Sequence, residues 1–201
     1  MDARNDTWTR TPSRSARRRS RGGWELAGGW DATSETRRPI NQRMSDSKYY
    51  LETDGSVRPG EKHKWGDSPS VGGAGIVLYD PDLRVVFAEG VNLGPVSCGP
   101  EAELRAVLVG LRRAKERKVE RLRVRSDCLE VVRHLTGEKM LETGWALPFL
   151  PELSDLLLSF DFVEARYTTA SHAVERRAGT PTADSLARQA VGLGPRRRWR
   201  C

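Results

Sequence analysis

Hydrophobic and polar positions follow two different periods between residues 48 and 191, and together they predict an α/β fold. Short apolar or alternating segments, the second and third of them joined by a turn sequence, predict five strands: Lys48–Thr53, Gly75–Tyr79, Arg84–Leu93, Arg121–Ser126 and Phe162–Thr169. Helical spacing predicts four helices: about Pro100–Glu116, Asp127–Thr136, Pro148–Ser159 and Pro181–Ala190, the last capped by Thr180. The order β-β-β-α-β-α-α-β-α predicts a mixed five-stranded sheet, an antiparallel meander followed by strands joined through helices.

Glu103 is the unexpected polar residue of the first predicted helix. It shares a stripe with Val107, Gly110, Leu111 and Ala114, and the rest of that stripe is apolar. A carboxylate directed at a core costs free energy unless something compensates for it, and a bound divalent cation is the strongest compensation. The pattern therefore favours a metal ligand at Glu103.

Composition narrows the class of protein. The chain has 201 residues, of which 37% are hydrophobic, enough for one domain with a sizeable core. No run of about 18 apolar residues occurs, so no membrane span is expected, and without a signal-peptide stretch a cytoplasmic setting is the default expectation. Cys98, Cys128 and Cys201 show neither metal-type spacing nor an even framework, and we expect reduced thiols.

The net charge of +7 is concentrated at the ends of the chain. Residues 1–43 hold ten Arg and five acidic residues, residues 196–201 add four Arg, and residues 44–195 therefore carry −2. Residues 1–43 lack apolar periodicity and are predicted to be a disordered basic extension; because Met44 opens a typical protein start, they also fit an extended gene start. We expect a folded domain over 44–195 and a basic tail over 196–201. The basic ends either bind nucleic-acid phosphates or are plain solvated extensions.

Three further acidic residues have structural as well as chemical interpretations. Asp54, followed by Gly55, fits a turn after the first strand. Asp127 fits an N-cap of the second helix, and Asp184 lies in the first turn of the last helix, where an anion suits the helix dipole. None of these interpretations excludes metal binding.

Together with Glu103, these residues resemble the ribonuclease H type 1 family. The resemblance rests on four ordered motifs, YLETDGS, EAELRAVLVGL, LRVRSDCLEVV and TPTADSLARQA, and covers roughly Lys48 to Val191. It is greatest to the compact members without a long basic handle, because Gly137–Leu147 leaves no room for one. The resemblance implies a ribonuclease H-like fold with the order of elements given above.

The resemblance also implies two Mg²⁺ ions, with Mn²⁺ as an alternative, held by the four carboxylates. In that scheme Asp54 bridges both ions, while Glu103 and Asp127 share the ion nearer the leaving group. Asp184 helps to hold the ion that carries the nucleophilic water. His172, in the loop before the last helix, is the counterpart of a histidine that moves protons or assists product release. Its spacing to Asp184 is slightly longer than the family pattern, and a solvated loop histidine is the alternative.

Substrate contacts are expected at Gly55, Ser56, Gly99 and Arg58, although Arg58 also fits a solvated loop. One departure from the family concerns the segment before the helix Glu, where many members carry Thr-Asn-Asn and this chain has Cys98-Gly99-Pro100. Side-chain amide contacts are absent there, and Gly99 offers only a backbone N–H. We therefore expect altered substrate affinity or strand discrimination and unaltered metal chemistry.

The resemblance implies a metal-dependent endonuclease that cuts the RNA strand of RNA–DNA hybrids and leaves 5′-phosphate and 3′-hydroxyl ends. Recognition would depend on 2′-hydroxyls and minor-groove shape, and we expect a monomer. One alternative is a binding module for hybrid or RNA with weak turnover, against which the four carboxylates argue. Another is a related exonuclease of the wider superfamily, against which the Asp-Gly-Ser and Ala-Glu motifs argue.

Overall fold

Five strands and four helices make up the described part of the chain, which in this computed structural model comprises residues 48–62, 64, 68–169 and 181–194. These residues belong to one unit of the chain, Ile40–Cys201. The strands are β1 (Tyr49–Arg58), β2 (Val71–Tyr79), β3 (Val85–Pro95), β4 (Arg121–Ser126) and β5 (Phe162–Tyr167). The helices are α1 (Gly99–Glu116), α2 (Leu129–Leu135), α3 (Leu150–Leu158) and α4 (Ala183–Ala190), with a 3-10 turn at Leu147–Phe149 before α3.

The strands form one mixed sheet in the order β3-β2-β1-β4-β5. β1, β2 and β3 pair in antiparallel fashion, whereas β4 is parallel to both β1 and β5. The predicted turn at Asp80 closes the hairpin between β2 and β3, because the Arg84 N–H donates to Asp80 Oδ1 at 2.8 Å. The predicted α/β class and mixed sheet are confirmed.

Helices pack closely on both faces of the sheet because glycines remove the intervening side chains. On one face, a Cβ added to Gly110 of α1 would lie 2.9 Å from Leu51 Cδ2 of β1. On the other face, a Cβ added to Gly75 of β2 would lie 1.8 Å from the Ala183 carbonyl oxygen of α4. α1 therefore covers one side of the sheet, and α4 covers β1, β2 and β3 on the other side.

The main hydrophobic core lies between α1 and the sheet. It includes the fully buried side chains of Leu51, Ile76, Leu104, Leu111 and Val124. Burying such side chains is the dominant favourable term in folding, at about 25 cal/mol per Å² of apolar surface. None of the helices in the described ranges is both long and apolar enough to cross a membrane.

Two of the structural interpretations made from sequence are wrong at the ends of elements. Asp54 and Gly55 do not form a turn, because β1 continues through both to Arg58. Asp127 is not the N-cap of α2, because that position belongs to Cys128, which makes no side-chain capping bond. At Asp54 and Gly55, strand pairing with β2 overrides the local preference for a turn.

Several other element boundaries differ from their predictions by a few residues, and the starts of β2 and α4 have identifiable causes. β2 begins at Val71, four residues before the predicted Gly75. Its glycines disfavour a strand locally, but Gly73 and Gly75 are where α4 approaches the sheet. α4 is capped by Thr182 rather than Thr180, since the Ser185 N–H donates to Thr182 Oγ1 at 2.8 Å and the Thr182 N–H donates to Ser185 Oγ. That reciprocal pair places the N-cap at Thr182 and fixes the first residue of α4 at Ala183.

Candidate active site

The carboxylates of Asp54, Glu103 and Asp127 converge, with one oxygen from each lying within 4.8 Å of the oxygens from the other two. Asp54 is buried, with 7% of its surface exposed, Glu103 is half-buried and Asp127 is exposed. The group therefore lies at the border between core and solvent, where a hydrated ion can reach it.

The pairing of β1 with β4 brings Asp54 and Asp127 to the same level of the sheet. The parallel register pairs Leu51 with Val124 and Glu52 with Arg125. Two residues beyond the pair of Glu52 and Arg125, the same register places Asp54 opposite Asp127. Asp54 is still within β1, whereas Asp127 is the first residue after β4. Because adjacent strands lie about 4.8 Å apart, this register makes the carboxylates of Asp54 and Asp127 neighbours.

Gly55 brings the first turn of α1 against β1 and so places Glu103 beside Asp54. A Cβ on Gly55 would lie 2.4 Å from the Glu103 amide nitrogen, which is too short for a carbon atom, so only glycine fits at this position. The start of α1 is held by the buried Glu101, whose Oε2 accepts a 2.8 Å hydrogen bond from the Ser97 N–H and whose Oε1 pairs with Arg105. Glu103 is therefore presented from a well-anchored helical turn.

Asp127 is available to the group because the turn between β4 and α2 is stabilised by other residues. The Cys128 N–H donates to the hydroxyl of the buried Ser126 at 3.1 Å. Burial raises the pKa of the Cys128 thiol; neighbouring backbone N–H groups partly oppose this, and the negative charges of Glu103 and Glu130 raise it further.

The fourth predicted carboxylate, Asp184, lies in the first turn of α4. It is not a member of the three-carboxylate group, although its helix is close. Ala183 packs against Gly75, which is the cross-strand partner of Asp54. Metal ligation by Asp184 stays a prediction, and His172 lies outside the described residues.

The residues predicted to contact substrate lie around the carboxylates to different extents. Gly55 and Ser56 follow Asp54 in β1, and Arg58 is the exposed last residue of that strand. Gly99 is the exposed first residue of α1, with no atom within 4 Å of the place where a Cβ would stand. Their roles in binding stay predictions.

Glu52 is a buried carboxylate that sequence reasoning passed over. It precedes Asp54 by two residues and so projects from the same face of β1. The Tyr79 hydroxyl donates to Glu52 Oε2 at 3.2 Å, and Arg125 Nη1 lies 3.9 Å from Glu52 Oε1. The period of two in YLETDGS was the signal that could have identified it.

The donor set of the group suits a hard divalent cation. Carboxylate oxygens are the ligands that Mg²⁺, Mn²⁺ and Ca²⁺ prefer. Three such groups repel one another when all are ionised, and a cation between them relieves that repulsion. The residues therefore fit a divalent metal site formed by β1, α1 and the β4–α2 turn.

Comparisons with known proteins identify the family and the fold of the chain. A profile of the family described as "Reverse transcriptase-like" matches residues 62–190. A search of curated proteins found no significant match.

Three solved structures illustrate the fold. RNase H1 from Halobacterium salinarum NRC-1 has a TM-score of 0.59 at 23% identity, over 72% of this chain and 97% of that one. The N-terminal RNase H domain of rv2228c from Mycobacterium tuberculosis has a TM-score of 0.58 at 22% identity, over 72% of this chain and 93% of that one. LC11-RNase H1, solved in complex with an RNA/DNA hybrid, has a TM-score of 0.58 at 17% identity, over 72% and 96%. The resemblance inferred from four acidic motifs is thus confirmed: the chain belongs to the reverse transcriptase-like family and has the fold of the type 1 ribonucleases H.

Proposed function

We propose that this protein is a metal-dependent endonuclease that hydrolyses the RNA strand of RNA–DNA hybrids. The single observation that carries the proposal is the convergence of Asp54, Glu103 and Asp127 within 4.8 Å on a ribonuclease H fold. A cluster of oxygen ligands at the edge of solvent suits phosphoryl chemistry assisted by metal ions, which needs ions held rigidly and open to substrate.

Asp54, Glu103 and Asp127 would hold the divalent cations, with Asp184 as a fourth ligand from α4. When bound, two such ions lower the pKa of the attacking water and stabilise the departing 3′ oxygen. Asp54 is suited to the central position because it is buried in mid-strand and has the least freedom to move. Asp127, in an exposed turn, can adjust to the substrate. His172 would accept or deliver a proton, or assist release of the product.

The proposed substrate is an RNA–DNA hybrid. LC11-RNase H1, of the same fold, was solved with such a hybrid, which supports the choice of this substrate class. Gly55, Ser56 and the backbone N–H of Gly99 would contact the hybrid backbone, and Arg58 would pair with a phosphate. Selection of the RNA strand would depend on its 2′-hydroxyls, the groups that distinguish RNA from DNA.

A comparison of substrates tests this proposal. Purified protein is incubated with end-labelled RNA–DNA hybrid, duplex RNA, duplex DNA and single-stranded RNA of one sequence, each with Mg²⁺, with Mn²⁺ and with chelator. The proposal expects internal cuts in the RNA of the hybrid only, dependent on metal, with 5′-phosphate ends. Stepwise shortening from one end would point to an exonuclease, and tight binding without cleavage would point to a binding module; either result would contradict the proposal.

A further inference from the structure

A face of the sheet next to the carboxylates carries five cationic side chains. This basic face consists of Lys48, Tyr50, Glu52, Arg121, Arg123, Arg125, Phe162, Glu164 and Arg166. It originates in the alternation of RLRVRS in β4. Leu122 and Val124 are fully buried on one side of the sheet, and the three arginines that alternate with them project from the other side. Its five cations outnumber its two carboxylates.

Strand pairing arranges the basic face in rows across the sheet. Arg123 lies between Tyr50 of β1 and Glu164 of β5, and Arg125 lies between Glu52 and Arg166. Successive rows are two residues apart along each strand, about 6.6 Å. The row that contains Arg125 is the last before the level of Asp54 and Asp127, so the basic face is continuous with the candidate active site.

The arginines of the basic face are held over aromatic rings. The guanidinium carbon of Arg125 lies 5.1 Å from the centre of the Tyr50 ring, and that of Arg121 lies 5.0 Å from the centre of the Phe162 ring. Such cation–π contacts fix the guanidinium groups on a sheet surface. Among the described helices, α4 makes its main contacts with β1, β2 and β3, which leaves the β4–β5 part of this face without a comparable helical cover.

Two of the arginines keep hydrogen-bonding capacity. Arg123 is engaged by Glu164, with N–O distances of 3.0 and 2.9 Å. By contrast, Nε of Arg121 and Nε of Arg125 are buried and have no hydrogen-bond partner within the described residues. A buried donor without a partner costs free energy, and a rotation of the guanidinium group that brings the donor to a ligand oxygen would remove that cost. Arg121 and Arg125 are therefore the members of the basic face that are best suited to an anionic ligand.

We propose that the basic face binds a single-stranded nucleic-acid segment that continues from the hybrid held at the carboxylates; this inference rests on the proposed function. Phosphates pair with guanidinium groups, and unpaired bases stack on guanidinium planes and aromatic rings. A single strand is flexible enough to follow a sheet surface row by row. The ligand would therefore be a hybrid with a single-stranded extension at one end.

The test compares the double variant Arg121→Gln/Arg125→Gln with the parent. Binding is measured by anisotropy in chelator, where metal-assisted cleavage cannot occur, over a salt series. The probes are a blunt RNA–DNA hybrid and the same hybrid with a single-stranded extension at its 5′ or its 3′ end. The parent is expected to bind one extended hybrid more tightly than the blunt one. The variant is expected to lose that preference. For the extended hybrid, the magnitude of its slope of log affinity against log salt should fall by about 1.4, because about 0.7 is lost for each phosphate of a single strand that is no longer neutralised.

The control Arg84→Gln/Lys115→Gln also removes two cations, both of them exposed and outside the basic face, and should leave the preference and the slope unchanged. If the double variant is unstable by thermal denaturation, Arg166→Gln replaces it, since that side chain is 57% exposed; its slope should decrease by about 0.7. Equal parental affinity for blunt and extended hybrids, or an unchanged slope in the variant, would overturn the proposal.

Cleavage of the blunt hybrid by the parent with Mg²⁺ is scored separately. Parental cleavage with no effect of the substitutions on binding rejects the basic face and keeps the proposed function. A parent that does not cleave but loses its preference for extended hybrid on substitution rejects the nuclease and keeps the basic face as a binding surface.

Discussion

At the scale of single residues, Gly55 is as important to the geometry of the candidate site as the carboxylates themselves, because it has no side chain. It lets the backbone of α1 approach β1 so closely that a methyl group would lie 2.4 Å from the Glu103 amide nitrogen. Asp54 is the preceding residue of the strand. The distance between two of the three carboxylates is therefore set by a position that has no functional group.

Replacing Gly55 by Ala should separate α1 from β1. The clash would be with backbone, which cannot rotate away, so we expect a loss of about 1–3 kcal/mol in the free energy of unfolding, as in other overpacked positions. The rise in melting temperature on adding Mg²⁺ should also shrink. Gly144→Ala is the matched control, because a Cβ there meets nothing within 4 Å. Equal stabilities and equal Mg²⁺ shifts for the two variants would refute this account of Gly55.

Glu164 links stability to pH through the cations around it. Burial alone would raise its pKa, but hydrogen bonds from Arg166 and Arg123 outweigh burial and lower the pKa to about 2, and Lys48 Nζ lies 3.6 Å away. A carboxyl with a depressed pKa contributes stability above its unfolded pKa of about 4.3, and that contribution is lost as the pH falls toward 2.

Glu164→Gln should therefore be less stable than the parent at pH 6, with the difference shrinking between about pH 4 and pH 2. Chemical denaturation of both proteins at several pH values measures the difference. Glu120→Gln, an exposed acid before β4, is the control. A difference that stays constant down to pH 2 would show that the ion pairs around Glu164 do not depend on its charge.

At the scale of elements, patterns with a clear period were read correctly from the sequence. The apolar stripe of α1 and the alternation of β4 predicted both elements to within a residue. The errors lie where long-range packing outweighs local preference: the glycine-rich start of β2, which accommodates α4, and Asp127, which precedes its helix instead of capping it. Three of the four acidic residues predicted for the site meet, but their order in the sequence could not reveal that Gly55 and strand register bring them together.

The contact between α1 and α3 offers an energetic test at this scale. Arg112 donates from Nε and Nη2 to the two carboxyl oxygens of Glu152 at 2.5 and 2.6 Å. The hydrogen bond from Arg112 lowers the pKa of Glu152. Both side chains are nearly half exposed, at 48% and 42%, so solvent screens the pair and we expect a coupling of about 0.5–1 kcal/mol.

A double-mutant cycle with Arg112→Ala and Glu152→Ala, followed by chemical denaturation, measures that coupling. It should decrease as salt is raised to about 1 M. A coupling of several kcal/mol, insensitive to salt, would show that the pair is far less screened than its exposure indicates.

At the scale of the whole molecule, the excess positive charge lies outside residues 44–195, the range predicted from the sequence to form the folded domain. Residues 1–43 and 196–201 carry +9 together, and the rest carries −2. Within the near-neutral remainder, the basic face concentrates five cations beside the carboxylates. Net charge alone therefore gives no indication of where nucleic acid would bind.

Deleting residues 1–43 should leave folding and metal-dependent cleavage intact, because all four acidic motifs follow Met44. If the extension binds phosphates, the salt slope of hybrid binding should decrease by about one unit for each phosphate that the shortened chain no longer neutralises. Circular dichroism, thermal denaturation and the hybrid cleavage assay on the shortened chain test both points. Loss of cooperative unfolding would place the domain boundary before residue 44.

The central claim, that Asp54 helps to hold the catalytic metal ions, is tested most directly by the Mg²⁺-dependent cleavage rate of Asp54→Asn on an RNA–DNA hybrid. Asp82→Asn, in the exposed turn between β2 and β3, is the control. We expect turnover to fall by at least about 100-fold in Asp54→Asn, the scale of losing one essential electrostatic group, with a melting temperature in chelator that is unchanged or higher. Turnover near that of the parent and of Asp82→Asn would contradict the claim.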